Sequence, residues 1–355
     1  MGYRNIRNLL NKDCIPEMKI LIDSKHGLGD CVQIIPMLQI IKEIYPDSYL
    51  AVIVSGKVSE ELLNMAPVKI DKFYYLSMQG MTIKNFLKLI LQIRKEHFDY
   101  FILSPITTKW KAKIFALLTG AKNKIGEQYQ KIDTYARDNS IHMVERNIAL
   151  LKDICKIPDK KICPTLNTPD LNIKIKREKD EKIIGVCIGE GTASKFNGKK
   201  IYPRAWSTEK IKKVIEYLLS KNLQVVLFGG KDEEKDLEII KDVLYDSKVC
   251  NYVNKTTITE SAFLAKQCDL VIGIDTGMQH IADAVGRKTL SIFGPTNPKT
   301  HGAYSEKAEF VEIVCDCKYC YGTDKYLSCD DRKCLKDINV GYVISKIEQL
   351  LRDEK

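Results

Sequence analysis

Short apolar runs alternate with longer stretches of helical periodicity along almost the whole chain, and this alternation restricts the fold more than any other feature. In the first half, strand-like Lys19–Asp23 precedes a helix expected over Asp30–Ile44. Then come Leu50–Val54, a helix over Val58–Met65, Lys72–Leu76, a helix over Thr82–Glu96, Tyr100–Leu103 and a helix over Lys109–Leu118. The second half repeats the theme with strands at Lys182–Ile188, Gln224–Phe228, Val249–Val253, Leu270–Ile274 and Thr289–Phe293. Helices are expected between and after them at Thr208–Lys221, Glu233–Val243, Thr259–Gln267 and Met278–Val285. Strands joined by helix-length crossovers pair in parallel, so the chain reads as an α/β protein with two doubly wound sheets. Proline-marked Ile162–Asp170 and the charged run Lys174–Lys182 suit a linker. The expected organisation is a first domain over 1–170, a second over 171–340 and a closing helix over 341–355. The cleft between the halves is the default ligand site.

The 355 residues, 45% hydrophobic and 29% charged, suffice for two cores. The start, MGYRNIRNLLNKDC, lacks an apolar signal segment and no run approaches a membrane span, so the expected location is the cytoplasm, with peripheral contact at a membrane surface. A net charge of +10 favours anionic partners such as nucleotides, phosphorylated glycolipids or membrane surfaces. No RNA-binding or helix-turn-helix signature accompanies it, so nucleic acid is not expected as a partner. The lysines of Lys84–Lys88 and Lys109–Lys113 alternate with apolar residues at helical spacing and read as solvated helix faces.

Four segments carry chemistry. Residues 24–36, SKHGLGDCVQIIP, place Gly27 and Gly29 where a strand gives way to a helix, a turn that admits close backbone approach to an anion. The third glycine of a dinucleotide fingerprint is replaced by Val32, and the second strand ends without a ribose-binding acid, which excludes a good nicotinamide site. What remains is Asp30 at the mouth of the turn. Gly189–Lys195 and Lys199–Trp206 gather small, hydroxyl and cationic groups after a strand, as a ligand loop or as a glycine-rich loop with surface lysines. Val225–Gly230 ends in two glycines ahead of Glu233, which either bridges ribose hydroxyls or complements a helix start. In Asp269–His280, Asp275 and Thr276 can cap a helix whose first N–H groups at Thr276, Gly277 and Met278 form an anion site. His280 on that helix is either a buried structural histidine or a ligand contact.

Together these residues resemble glycosyltransferase family 9, whose best-known members are the ADP-heptose:lipopolysaccharide heptosyltransferases. The resemblance runs from Met18 to Leu351. It rests on Gly29-Asp30 with Pro36 and Tyr45-Pro46, Tyr202-Pro203, Val225–Gly230, Asp269–His280 and Phe293-Gly294-Pro295-Thr296-Asn297-Pro298. It implies the GT-B fold, two Rossmann-like domains facing across a cleft, and an inverting transfer with no catalytic cofactor. In that scheme Asp30 is the base that deprotonates the acceptor hydroxyl. The leaving diphosphate rests on the helix start at Asp275, Thr276 and Gly277, with Thr192 and a lysine adding hydrogen bonds and charge. Lys195, Lys199 and Lys200 compete for the lysine role because Phe196-Asn197-Gly198 looks like an insertion; position before Tyr202-Pro203, where the family usually has Trp-Pro, favours Lys200. Thr256, within Lys255–Ile258, would line the adenine pocket, and Glu233 and His280 complete the donor side.

The implied donor is ADP-heptose or a close sugar nucleotide, and the acceptor a glycan, glycolipid or protein hydroxyl. Ser104–Trp110 and Gly126–Tyr129 are expected to face it. Two rival readings are a nucleotide-sugar epimerase, which needs a second acid or base beside Asp30, and a non-catalytic nucleotide-binding protein, for which Asp30 is unnecessary.

Five of the 12 cysteines, Cys315, Cys317, Cys320, Cys329 and Cys334, crowd into twenty residues. A cytoplasmic chain would not hold them as disulfides. Cys317, Cys320, Cys329 and Cys334 supply four thiolates suited to a tetrahedral structural zinc or iron, with reduced free thiols as the alternative. Relatives that glycosylate autotransporter proteins hold iron on such cysteines, which extends the resemblance.

Overall fold

The computed structural model describes residues 18–77, 81–105, 109–126, 140–178, 181–191 and 194–352. The first domain consists of β1 (Lys19–Ser24), α1 (Leu28–Gln33), α2 (Ile35–Ile44), β2 (Tyr49–Val54), α3 (Lys57–Asn64), β3 (Lys72–Tyr75), α4 (Ile83–Lys95), β4 (Tyr100–Ile102), α5 (Lys109–Thr119), β5 (Asn123–Ile125) and α6 (Met143–Ala149). Its five strands pair in parallel in the order β3-β2-β1-β4-β5. Ile20 and Ile22 of β1 are buried on one face, against α1–α3, and Leu21 on the other, beneath α4 and α5. That two-sided burial explains why the strands read as continuous apolar runs.

The second domain contains β6 (Ile183–Cys187), β7 (Ser194–Phe196), β8 (Lys199–Ile201), α7 (Thr208–Ser220), β9 (Gln224–Phe228), β10 (Val249–Asn251), α8 (Ile258–Gln267), β11 (Leu270–Ile274), α9 (Gly277–Ala284), β12 (Lys288–Ile292), α10 (Pro298–His301) and β13 (Ala308–Val311). After them come α11 (Asp324–Ser328), α12 (Lys333–Lys336) and α13 (Val340–Arg352). Six strands form a parallel sheet in the order β10-β9-β6-β11-β12-β13. The terminal helix α13 buries Val343 and Ile347 in this domain's core, and the Lys182 and Lys288 ammonium groups bond its carbonyls at Leu351 and Leu350.

Both sheets reverse their winding at the central strand. β1 lies between β2 and β4, and β6 between β9 and β11. Loops leaving such switch points diverge and open a crevice at the carboxyl edge. The β1–α1 loop of one sheet and the β6–β7 and β11–α9 loops of the other therefore face the same space.

Local departures from expectation have local causes. The helix expected over Asp30–Ile44 is two helices broken at Ile34, because Pro36 in the first turn of α2 has no N–H to continue the ladder. Over Glu233–Val243 the chain forms two 3₁₀ segments, Lys231–Glu238 and Lys241–Tyr245, instead of one α-helix; the Glu233 carboxylate bonds back to the Gly230 N–H and tightens the first turn. Phe196-Asn197-Gly198 is the turn of an antiparallel hairpin, β7–β8, with Asn197 and Gly198 at φ of 48° and 76°. Two successive left-handed residues make the turn that Asn-Gly favours.

The domains touch directly. A Cβ on Gly29 would lie 2.8 Å from the His280 ring, and one on Gly277 would lie 2.9 Å from the Leu28 Cβ. Only glycine at both positions lets α1 and α9 approach this closely. Below them, the Leu166 N–H bonds the Ala284 carbonyl of the second domain and the adjacent Asn167 N–H bonds the Met65 carbonyl of the first. Among the described residues no helix is long and apolar enough to cross a membrane.

Candidate active site

A cavity of about 1090 Å³ opens between the two carboxyl edges. From the first domain it receives His26, Gly29 and Asp30. Asp30 stands in the first turn of α1 and its Oδ2 accepts the Gly27 N–H at 2.8 Å, which fixes the carboxylate at the helix's positive end.

The second domain supplies Glu233, Thr256, Asp275, Thr276, Gly277 and His280 to the opposite wall. Neither Asp275 nor Thr276 caps α9 through its side chain, contrary to expectation. The buried Asp275 carboxylate instead accepts Thr296 Oγ1 at 2.6 Å and Arg204 Nη1 at 3.4 Å. The Thr276 hydroxyl is buried, lines the cavity and has no hydrogen-bond partner among the described residues. With the N–H groups of Gly277 and Met278 at the start of α9, it offers a donor set to an anion.

Glu233 spends its carboxylate on two loops: Oε1 accepts the Gly191 N–H at 2.8 Å and Oε2 the Gly230 N–H at 2.7 Å. Burial raises its pKa above the usual carboxylate range, against those two bonds. Thr256 shares a 2.7 Å hydroxyl bond with Ser261. Burial lowers the pKa of His26, His280 and His301, against nearby carboxylates, so three neutral imidazoles line the cavity. The cations of the described wall are Arg204 and Lys231.

Lys200 lies outside this lining. It sits opposite Lys195 on the β7–β8 hairpin, with its ammonium 3.2 Å from Asp232, which does line the cavity. Thr192 and the side chain of Lys195 fall outside the described residues. Of the stretches expected to face an acceptor, the side chain of Lys109 falls outside the described residues, and Ser104, Pro105, Trp110 and Gly126 do not line the cavity.

The family model for glycosyltransferase family 9 (heptosyltransferase) matches residues 86–329. The chain belongs to glycosyltransferase family 9. It is 28% identical over 347 residues, covering 95% of this chain and 99% of the relative, to lipooligosaccharide heptosyltransferase 2 of Campylobacter jejuni. The solved structure of the E. coli ADP-heptose lipopolysaccharide heptosyltransferase II superposes with a TM-score of 0.71 at 21% identity, over 95% of this chain and 99% of that one. That of the iron-containing dodecameric glycosyltransferase TibC from enterotoxigenic E. coli does so at 0.57 and 12%, over 96% and 77%. The two-sheet GT-B architecture expected from the sequence is thus the fold observed, and the chain is a glycosyltransferase.

Within this family 9 site, sequence reasoning missed Glu190, Arg204, His301, Tyr321 and Tyr326. Glu190, fully buried at its side chain, accepts the Arg204 backbone N–H at 2.7 Å and its Nε at 3.2 Å. Burial raises the Glu190 pKa against the attraction of Arg204. Arg204 therefore spans Glu190 and Asp275, the ends of two sheet loops that lie far apart in sequence. His301, Tyr321 and Tyr326 stack edge to face at 5.4 and 5.1 Å along the same wall.

Tyr326 also closes a second, small cavity of about 10 Å³ lined by Cys317, Cys320, Cys329 and Cys334. The Arg332 N–H lies 3.4 Å from Cys329 Sγ. Four thiols around one small cavity suit zinc or iron by donor type. Among the described residues, however, no three cysteine, histidine or carboxylate side chains are arranged to hold an ion.

Proposed function

We propose that this chain transfers a heptose-type sugar from an ADP-sugar to a hydroxyl of a lipopolysaccharide core oligosaccharide, by a single inverting displacement. The observation that carries this reading is the confrontation of Asp30 with the first turn of α9 across one cavity, a carboxylate on one side and an anion-binding helix start on the other. The names of the relatives supply the substrate class: lipooligosaccharide for one, ADP-heptose for the other.

In the proposed step the Asp30 carboxylate takes the acceptor proton as that oxygen attacks the anomeric carbon, and the bond to the diphosphate breaks on the opposite face. Thr276 Oγ1 and the N–H groups of Gly277 and Met278 receive the diphosphate. Lys231, which lines the wall, and Lys200, which stands beside Asp232, are proposed to add positive charge. Asp275, held by Thr296 and Arg204, presents acceptor oxygens to donor-sugar hydroxyls. Thr256 and its neighbours border the adenine, and Glu233 keeps both glycine loops in place beneath the ribose. The neutral His280 packs on Gly29 and joins the donor wall to the base.

No step passes through a metal. Cys317, Cys320, Cys329 and Cys334 are proposed to hold a structural zinc or iron, which would clamp the segment carrying Tyr321 and Tyr326.

The test is to incubate the purified protein with a panel of sugar nucleotides, with and without truncated lipopolysaccharide cores, and to read products by mass spectrometry. A mass increase of one heptose, with ADP released, is expected. Epimerised donor without transfer, or no turnover of any sugar nucleotide, would overturn the reading.

A further inference from the structure

Six large apolar side chains on two neighbouring helices of the first domain stand 51–81% exposed: Ile83, Leu87 and Leu91 of α4, and Trp110, Ile114 and Leu117 of α5. Each set repeats at helical spacing and forms one stripe. These stripes are separate from the core-facing ones. Leu89, Ile90 and Ile93 of α4, with Ala112, Phe115 and Ala116 of α5, are buried together on the first sheet. The rings of Phe86 and Phe115 meet at 6.2 Å, so the helices lie side by side and their outer faces form a single surface. The expectation of solvated faces holds for the exposed Lys84, Lys88, Lys111 and Lys113, but the neighbouring Ile83, Leu87, Trp110 and Ile114 are exposed as well and are apolar.

A contiguous apolar surface of this kind marks an interaction site. Its charge pattern indicates the partner. Neither Ile83–Lys95 nor Lys109–Thr119 contains an acidic residue, and both carry lysines along the apolar stripe. A second copy docked face to face would set these cations against each other, which disfavours self-association. Apolar rows edged by lysine, with a tryptophan among them, match the headgroup boundary of an anionic bilayer, where stems and rings sink in and ammonium groups meet phosphate.

The surface also sits where a lipid-borne substrate is needed. Helices that follow parallel strands begin at the sheet's carboxyl edge, so α4 and α5 start on the side of the cavity. The Lys25 ammonium, five residues before Asp30, lies 5.5 Å from the Phe115 ring.

We propose that the outer faces of α4 and α5 form the surface by which this protein lies on an anionic bilayer, with the Asp30 side of the cavity at the membrane plane. This rests on the proposed reading of a glycolipid acceptor.

The test is flotation of the full chain with phosphatidylcholine vesicles, with and without phosphatidylglycerol, at low and high salt. It uses wild type and a Trp110→Gln/Ile114→Gln/Leu117→Gln variant whose folding is checked by its melting curve. Wild type is expected to bind anionic vesicles at least about tenfold more tightly than neutral ones and to lose most of that advantage in high salt. The triple variant should lose about tenfold or more, with unchanged turnover of donor in solution. Lys84→Glu/Lys88→Glu should remove the preference for anionic lipid. Wild type that fails to float, or a triple variant that floats equally, overturns the proposal. So does a wild-type dimer that the triple variant dissociates, because the face would then be covered by a second copy. Absent vesicle binding with intact transfer to a water-soluble core sinks this inference and leaves the glycosyltransferase reading standing; vesicle binding without any donor turnover does the reverse.

Discussion

At Asp30 one carboxylate oxygen is already committed to the Gly27 N–H. Asparagine can accept the same bond, so Asp30→Asn should leave α1 intact while removing the proposed base. Transfer is expected to fall by about 10²–10⁴-fold, with ADP affinity, measured by calorimetry, within a few-fold of wild type. Near-normal turnover would sink the assignment. His142 makes a different prediction. Its Nε2–H donates to the Gly302 carbonyl at 2.9 Å and its Nδ1 accepts the Val144 N–H at 3.1 Å, a pattern only the neutral ring can make. Burial pushes its pKa down to about 4, from an ordinary value near 6.5. The unfolded chain therefore binds the proton first as pH falls. The stability that neutral His142 contributes is expected to be complete above about pH 6.5 and to decline towards pH 4, by up to roughly 3 kcal/mol. Melting temperatures measured across that window should show a shallower decline for His142→Asn. Asp30 and the Asp275–His280 segment were legible because local sequence builds them, as strand, turn and helix start. Arg204 was not, since its partner Asp275 is 71 residues away and only the folded sheet brings them together.

Among elements, most strands and helices declared themselves through their apolar pattern, whereas β5 and β13, of 3 and 4 residues, bury one residue each, Ile125 and Val311, and offered no apolar run to read. The β7–β8 hairpin did carry a signal, Asn197-Gly198, hidden by its reading as an insertion. The cysteine-bearing element is the most consequential. Tyr321 and Tyr326 hang from it into the main cavity, and Tyr326 lines the cavities on both sides. Elemental analysis of protein purified without added metal should find roughly one zinc or iron per chain. Replacing Cys317 and Cys320 together by serine should remove it and lower the melting temperature. Donor affinity should weaken too, because the tyrosine wall loses its clamp, while turnover of bound donor is kept. Metal-free protein with an unchanged melting curve would leave the four cysteines as ordinary reduced thiols.

For the whole molecule, the proposed transfer depends on how closely the two domains meet. The fit of Gly29 against His280 leaves no room for a methyl group, so Gly29→Ala should part the domains by several tenths of an ångström. Because small misplacements of reacting groups are costly, transfer should fall by about 10–100-fold while ADP, which the proposed function assigns to the second domain, should bind almost as before. Wild-type rates in that variant would show that the contact is not maintained during turnover. The connection below the cavity sets the scale of such movements. Leu166 is tied to the second domain and Asn167 to the first, so an opening that keeps both ties must turn about the torsions between two neighbouring peptide groups. Ala284 ends an 8-residue helix that begins at the cavity, which makes a lever of about 12 Å. A swing of about 5° at this pivot then moves the donor wall by about 1 Å relative to Asp30, roughly the displacement that separates a productive geometry from an idle one.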